Sequence, residues 1–522
     1  MKENFLKKNW QILLINFLLL FVFLFFYGRF GDIIVDSFRE AYIPTQILKG
    51  KILYKDIFTI YSPFSYLFNA FLFLVFGIKL KVLYFAGLIA SAGILNLIYK
   101  LGAKFLPKLY AMGIVLFVIS VCVLSPNVFN FIFPYSYGIL YGILFVLGAL
   151  YCAVKKQFFY AYLLYSFAIC SKYEFIFLIL PLIWYSGFKY FWRNIIAVII
   201  PVVICLIPLI LQGLKAGDLI FPILILIGMS GAKTLHWFYS VSGLIFRPQI
   251  ILIYLAEFVK LFVLAFILNR YKNKYIILLV LLYLSFILSQ KSFIYLFPLI
   301  LMLSIFRYKK LNKKQKFIIF SSLLVSVKVF FASTLESYGM FFIPLGILSL
   351  FILVPKQFKK SLLIIILLSS IIFGVMNSKS LMLKNYKIQT QRGIIYTSNY
   401  YGNSISQLNK FVESTKKDDK IVIYPECLAV NFLNNINSDN KLYSLIPLYV
   451  ETFGENFIIQ RLDFIKPKYI AITNYDTSNY GASEFGKDYA LKVYDYVNKN
   501  YKKIKNINND FSIILFERNW QK

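Results

Sequence analysis

The chain has 522 residues, 60% hydrophobic and only 15% charged, with a formal net charge of +33 and a single histidine. A soluble globular chain is about half apolar and a quarter charged, so this composition excludes an ordinary soluble enzyme. A charge of this size would suggest nucleic acid in a soluble protein. Here the lysines and arginines cluster between apolar blocks, as the positive-inside rule requires of cytoplasmic loops, so no nucleic-acid partner is expected.

The first charge-free block, Ile12–Tyr27, follows Lys2, Lys7 and Lys8 and lacks a small-residue cleavage site. It reads as a retained membrane helix, about 10–28, with its N-terminus in the cytoplasm. A first external loop then spans 31–61. Two apolar blocks, 62–77 and 82–99, precede the basic residues Lys100, Lys104 and Lys108. Only one crossing fits there, so 62–77 is expected to lie along the membrane surface or to re-enter it.

Dense basic clusters recur at Lys155/Lys156, Lys189/Arg193, Arg270/Lys272/Lys274, Arg307–Lys316 and Lys356/Lys359/Lys360. Placing each inside the cell leaves room for out-and-back pairs at 157–171 with 174–187, 195–212 with 249–269, 275–289 with 292–306, and 317–332 with 339–354. A last helix, 361–377, leads outside. The fold class expected is a polytopic α-helical membrane protein with about thirteen crossings. In domains, this gives a transmembrane catalytic part at 1–379 and a soluble extracytoplasmic α/β domain at 380–522.

That tail is polar and rich in Asn and Lys. The apolar runs Lys420–Tyr424, Tyr469–Thr473 and Phe511–Phe516 read as strands, and Ser404–Ser414 and Tyr489–Tyr501 as amphipathic helices. Four of the five cysteines, Cys122, Cys152, Cys170 and Cys205, fall in apolar blocks and only Cys427 in the tail. One thiol cannot staple the tail, and no spacing marks a metal site.

Ionisable groups are densest in the first external loop: Asp32, Asp36, Arg39, Glu40 and Asp56, with Tyr54 and Tyr61. Residues three and four apart share a helix face, which groups Asp36, Arg39 and Glu40. A carboxylate there can take a proton from a hydroxyl while a guanidinium holds an anion. The same residues can equally form a capping box, Ser37-x-x-Glu40, and a surface ion pair.

The stretch Asp36-Ser-Phe-Arg-Glu-Ala-Tyr-Ile-Pro-Thr-Gln-Ile-Leu-Lys-Gly50, with Leu53-Tyr-Lys-Asp56 and Tyr61-Ser-Pro63, resembles the first-loop signature of the GT-C integral-membrane glycosyltransferases. These include the protein O-mannosyltransferases and the aminoarabinose transferases. The resemblance is best over the first hundred residues, and it puts Asp36 at the family's catalytic aspartate, with Asp56 as a second acidic group. Where that family usually has paired acids, this chain has Asp36-Ser37, and Glu40 is expected to share the work.

The resemblance implies an inverting transfer of a sugar from a polyprenyl-phosphate donor to an acceptor hydroxyl on a glycan, lipid or protein, in the inner (plasma) membrane. Asp36, Glu40 and Asp56 are the expected catalytic set. Arg39, Tyr54, Tyr61, Lys172, Glu174, Arg247, Lys291 and Lys328 are the expected substrate-binding residues, the cations to steady a leaving phosphate. A metal requirement stays open: Asp36, Glu40 and Asp56 are of a kind that can hold a divalent ion, while other members of that family work without one. A transporter or flippase of lipid-linked glycans, or a polymerase, stays open as the alternative.

Overall fold

The computed structural model describes residues 2–241, 252, 255, 256, 259, 296–327, 338–416 and 418–519. It is mostly helical. Its helices are α1 (Lys2–Phe25), α2 (Arg39–Leu48), α3 (Phe64–Phe76), α4 (Leu80–Phe105), α5 (Lys108–Val118), α6 (Tyr137–Val154), α7 (Phe158–Ser171), α8 (Ile179–Ser186), α9 (Phe188–Arg193), α10 (Ile195–Leu211), α11 (Ala216–Ser230) and α12 (Lys233–Val241). After the gap in the description come α13 (Leu296–Arg307), α14 (Lys313–Val325), α15 (Ile343–Leu353) and α16 (Lys356–Met382). The last third adds strands β1 (Tyr386–Thr390) and β2 (Gly393–Thr397), α17 (Asn399–Glu413), β3 (Ile421–Tyr424), α18 (Leu428–Leu433), α19 (Pro447–Phe453), α20 (Glu455–Ile465), β4 (Tyr469–Thr473), α21 (Leu491–Asn500), β5 (Tyr501–Ile507) and β6 (Ile513–Arg518).

Among the described residues, α4, α6 and α16 are long and apolar enough to cross a membrane, and the bent pair α10–α11 counts as a fourth if taken as one span. The shorter apolar helical stretches run 10–17 residues, Asn9–Phe25 of α1 among them. The expected pair members at 249–269 and 275–289 lie almost wholly outside the described residues. The block expected along the surface is a helix of 13 residues, α3, too short to span a hydrocarbon layer that takes about 20.

The chain divides into two compact units. The first comprises Met1–Tyr27, Phe85–Ile204 and Gly243–Leu381 and is built from apolar helices. Within it α5 ends in a π turn, Ile119–Val123. Such a turn frees a backbone carbonyl, and that of Ser120 is satisfied by the Asn377 side chain of α16 at 2.9 Å. The buried loop before α6 is organised by Asn130, whose side chain accepts from the Ile132 and Phe133 N–H groups at 2.8 and 2.7 Å. That loop presses on α4, where Ser91 donates to the Phe131 carbonyl at 2.7 Å.

The second unit comprises Gly28–Tyr84, Cys205–Ser242 and Met382–Lys522. The first loop thus clusters with the C-terminal sheet, a grouping that the boundary at 379/380 does not express. Its four-stranded sheet runs β3-β4-β6-β5, with β3 and β4 parallel and the rest antiparallel. Strands β3 and β4 are buried along their whole length, which is why both read as unbroken apolar runs. Edge strand β5 carries Lys502, Lys503 and Lys505, charges that discourage pairing with another chain. A separate hairpin, β1–β2, turns at Gln391-Arg392. Gly393 has φ +148° there, and a Cβ on it would fall 2.8 Å from Cβ of Leu80.

A Cβ at Gly87 would lie 1.9 Å from the Ile132 carbonyl oxygen, a backbone atom that cannot swing aside. Gly87→Ala is therefore expected to lower stability by about 1–3 kcal/mol through overpacking. Gly228→Ala, with nothing within 4 Å, is expected to be neutral or to gain about 0.5–1 kcal/mol. Thermal unfolding of both variants in detergent checks the pair, and equal melting temperatures would refute the α4–loop contact.

Candidate active site

The first external loop is shaped before its ionisable groups meet. Asp32 Oδ1 accepts from the Ile34 and Val35 N–H groups at 2.7 and 3.1 Å, an Asx turn. The Asp32 N–H donates to Ser37 Oγ at 3.2 Å. Helix α2 then starts at Arg39 with Phe38 as its N-cap and no side-chain cap, so the possible capping box does not form. Asp36 sits just outside the helix in the left-handed region, φ +54°. A non-glycine residue there is held by its surroundings and is a frequent mark of a functional position.

Two contacts hold it, and a third fixes Glu426. Arg39 Nη1 lies 2.6 Å from Asp36 Oδ1, with the aspartate side chain 34% exposed and the arginine 5%. The Asp36 N–H donates to Glu426 Oε1 at 3.1 Å, and the Ser444 hydroxyl donates to Glu426 Oε2 at 3.0 Å. Helix α2 is in turn fastened to the segment that carries Glu426: the hydroxyls of Tyr42 and Ser438 are 2.8 Å apart, Lys49 donates to Asn437 at 2.6 Å, and Phe38 packs on Phe432. At the loop's entrance Lys384 donates to the Gly31 carbonyl at 2.7 Å.

Arg39 also stands 4.7 Å from the centre of the Tyr61 ring, and its Nε is 3.6 Å from Glu40 Oε1. Burial opposes the guanidinium charge, but the fields of Tyr61 and Asp36 outweigh it and Arg39 stays cationic. Glu40 is wholly buried behind Arg39, near Tyr66. Buried tyrosines surround the group. Burial pushes Tyr443, Tyr475 and Tyr480 up and Tyr449 up to about 12, with the negative fields of Glu426 and, for all but Tyr443, Asp36 adding to it. Their hydroxyls therefore remain protonated and able to donate. Burial first, and the like charge of Asp36 second, raise Glu426 to about 7 against the opposing pull of Arg39 and two hydrogen bonds.

The other expected residues fall as follows. Tyr54 donates to the Tyr61 carbonyl at 2.8 Å and so shapes the Tyr61 turn. Asp56 is exposed and its Oδ2 accepts from the Ile52 N–H at 2.8 Å, closing a local turn. Among the described residues no three His, Cys, Asp or Glu side chains come together to hold a metal ion, so Asp36, Glu40 and Asp56 do not form a ligand set. Lys172 and Glu174 belong to the first unit. There the buried Lys172 ammonium bonds the Tyr135 hydroxyl, lies 4.3 Å from the centre of the Tyr338 ring and 3.7 Å from Glu174 Oε1. Arg247, Lys291 and Lys328 lie outside the described residues. Sequence spacing did not reveal the clasp on Asp36 by Glu426, or the tyrosines 443, 449, 475 and 480, because their partners lie some 390 residues away. The available signals were the isolated acid in Pro425-Glu426, next to an apolar strand, and the steps Tyr449-Val-Glu451 and Asn474-Tyr-Asp476, none of which names a partner.

No protein-family model matches the chain, and no curated protein matches it. Among solved structures it is similar to the crystal structure of ArnT from Cupriavidus metallidurans bound to undecaprenyl phosphate. The likeness covers 97% of this chain and 98% of that one, with a TM-score of 0.50 and 9% identity. The chain has a GT-C-like fold. That likeness accords with the resemblance in the first loop, which had pointed to the same architecture.

A carboxylic acid whose folded-state pKa is raised is disfavoured as an anion. Its cost to the fold is absent below the ordinary value of 4.5 and is fully present above about 7. Replacing Glu426 by Gln removes that cost. The melting temperature of Glu426→Gln minus that of the wild type is expected to rise with pH across this window and to flatten above it. A difference independent of pH would show that the Glu426 environment is not as described.

Proposed function

We propose that the protein is an inverting membrane glycosyltransferase that moves a sugar from a polyprenyl-phosphate donor to an acceptor hydroxyl at the outer face of the inner membrane. The observation that carries this reading is Asp36: a part-exposed carboxylate, held in a left-handed backbone conformation by Glu426 and in a fixed rotamer by a buried arginine. The GT-C-like fold supports it, and so does the lipid phosphate bound by ArnT, a molecule of the donor's chemical type.

In this mechanism Asp36 takes the proton of the acceptor hydroxyl as its oxygen attacks the anomeric carbon. The bond from that carbon to the phosphate oxygen breaks on the opposite face, and the electron pair leaves on the prenyl phosphate. Arg39 engages Oδ1 at 2.6 Å, leaving the second oxygen for the hydroxyl. Glu40, buried behind Arg39, serves by holding the guanidinium rather than by meeting substrate. The protonated tyrosines supply donors and ring faces suited to a sugar. A phosphate monoester anion is a good leaving group, so the reaction calls for cations rather than a general acid. Lys172, ringed by Tyr135 and Tyr338, is assigned to that role with Arg247, Lys291 and Lys328. Asp56 is assigned a supporting place in the loop. The N-terminus is assigned to the cytoplasm and the C-terminal sheet to the outside.

The test uses membranes containing the full chain and a radiolabelled polyprenyl-phosphate sugar. Asp36→Asn keeps the size of the side chain but cannot accept the proton, and is expected to lower transfer by about 10²–10⁴-fold. Unaltered transfer by Asp36→Asn would remove it from the mechanism. Movement of the lipid across the bilayer with no transfer by the wild-type protein would favour transport instead.

A further inference from the structure

Helix α11, which follows α10, has two sides that differ sharply. One side of α11 packs into the second unit: Phe221 and Ile225 lie against the sheet's core, and Met229 is buried beside Leu448. The opposite side presents Ile220, Ile223, Leu224 and Ile227, which are 51–64% exposed. Their spacing of i, i+3, i+4 and i+7 makes one continuous stripe. Between Asp218 and Lys233 the helix and its end carry no charge at all. Isolated exposed aliphatic residues are common, but a contiguous stripe of four facing water is not.

The stripe continues an apolar surface already present. Helix α10 leads into α11 through Gln212–Lys215 and exposes Ile207, Ile210 and Leu211. The two helices meet at 113°, near a right angle, so a helix following α10 across the bilayer turns into the plane of its surface. The corner is fixed by Asp218, whose Oδ2 accepts from the Lys215 N–H at 2.9 Å. Pro222 lies inside the helix on its buried side.

We propose that α11 is an in-plane membrane helix whose Ile220–Ile227 stripe is immersed in the acyl chains of the bilayer lipids. Aliphatic side chains without flanking charge suit hydrocarbon and would not suit water or a polar partner. The immersion also has a consequence for the site. The buried side of α11 places the Phe221 ring 6.1 Å from Phe58, edge-on, and Phe58 stands in the same way 6.0 Å from Tyr449. Tyr449 is one of the tyrosines that feel Arg39, Glu426 and Asp36. Lipid on one side of α11 thus fixes the depth of the tyrosine wall on the other. The proposal needs only that α10 lies in a membrane, so it can stand if the glycosyl-transfer reading fails.

The test places the photoreactive residue p-benzoylphenylalanine at position 224 or 227 of the full chain in vesicles of phosphatidylethanolamine and phosphatidylglycerol. Position 207 in α10 is the positive control and the exposed position 487 the negative one. Illumination is expected to give lipid adducts at 224 and 227, detected by mass spectrometry, at a yield comparable to that at 207, with none at 487. A dimer of the chain cross-linked through 224 would show that a second copy covers the stripe and would overturn the proposal. So would adducts at 207 with none at 224 and 227. Transfer activity plays no part in the readout, so a failed test of Asp36 leaves this one intact.

Discussion

A guanidinium with only a few per cent of its surface exposed is the constraint on which the site depends. Removing a cation from water costs several kcal/mol unless opposite charge and hydrogen bonds replace the lost hydration. Arg39 meets that demand with Asp36 on one side, Glu40 on the other and the Tyr61 face beyond. Each of these neighbours is fixed in turn. Glu40 is wholly buried, and Tyr61 is in a turn held by the Tyr54 hydroxyl. An exposed ion pair three residues apart would contribute little, roughly 0–1 kcal/mol. The same spacing with a buried arginine becomes a rigid holder for one partly exposed carboxylate.

The first-loop part of this arrangement could be read from the sequence, because it is local. The i, i+3, i+4 spacing grouped Asp36, Arg39 and Glu40, and the structure keeps them adjacent. Two local alternatives competed, and packing decided between them. A capping box required Ser37 to precede the helix as its cap, yet the Ser37 hydroxyl is taken by the Asp32 N–H and the helix begins at Arg39. Asp56 shares the loop with Asp36, but a turn at Ile52 claims one of its oxygens.

In the last third, legibility followed hydrophobicity. The runs at Lys420–Tyr424 and Tyr469–Thr473 are β3 and β4, buried on both faces and therefore apolar throughout. The run at Phe511–Phe516 is β6, displaced by two residues to Ile513–Arg518. The helix expected at Tyr489–Tyr501 is α21, and its last expected residue instead opens β5. That edge strand was invisible because five successive residues are exposed and three of them are lysine, a pattern with no period of two. The β1–β2 hairpin escaped for a similar reason, being only half-buried and lacking an Asn-Gly or Asp-Gly turn.

Of the clasp between Asp36 and Glu426 only the isolated acid was legible, not its partner, and the form of the contact explains why. What Glu426 binds is a backbone N–H, a group that every residue except proline possesses, so residue types alone do not signal it. The contact exists only because α2 is fastened to 426–444 through Tyr42, Lys49 and Phe38. This arrangement has a physical consequence. The left-handed conformation of Asp36 costs an isolated chain on the order of 1 kcal/mol, so the first loop alone would relax out of it. The carboxylate is presented in its observed orientation only when the C-terminal segment is folded against the loop. The first loop therefore supplies the carboxylate, and the other end of the chain supplies the geometry in which it is held.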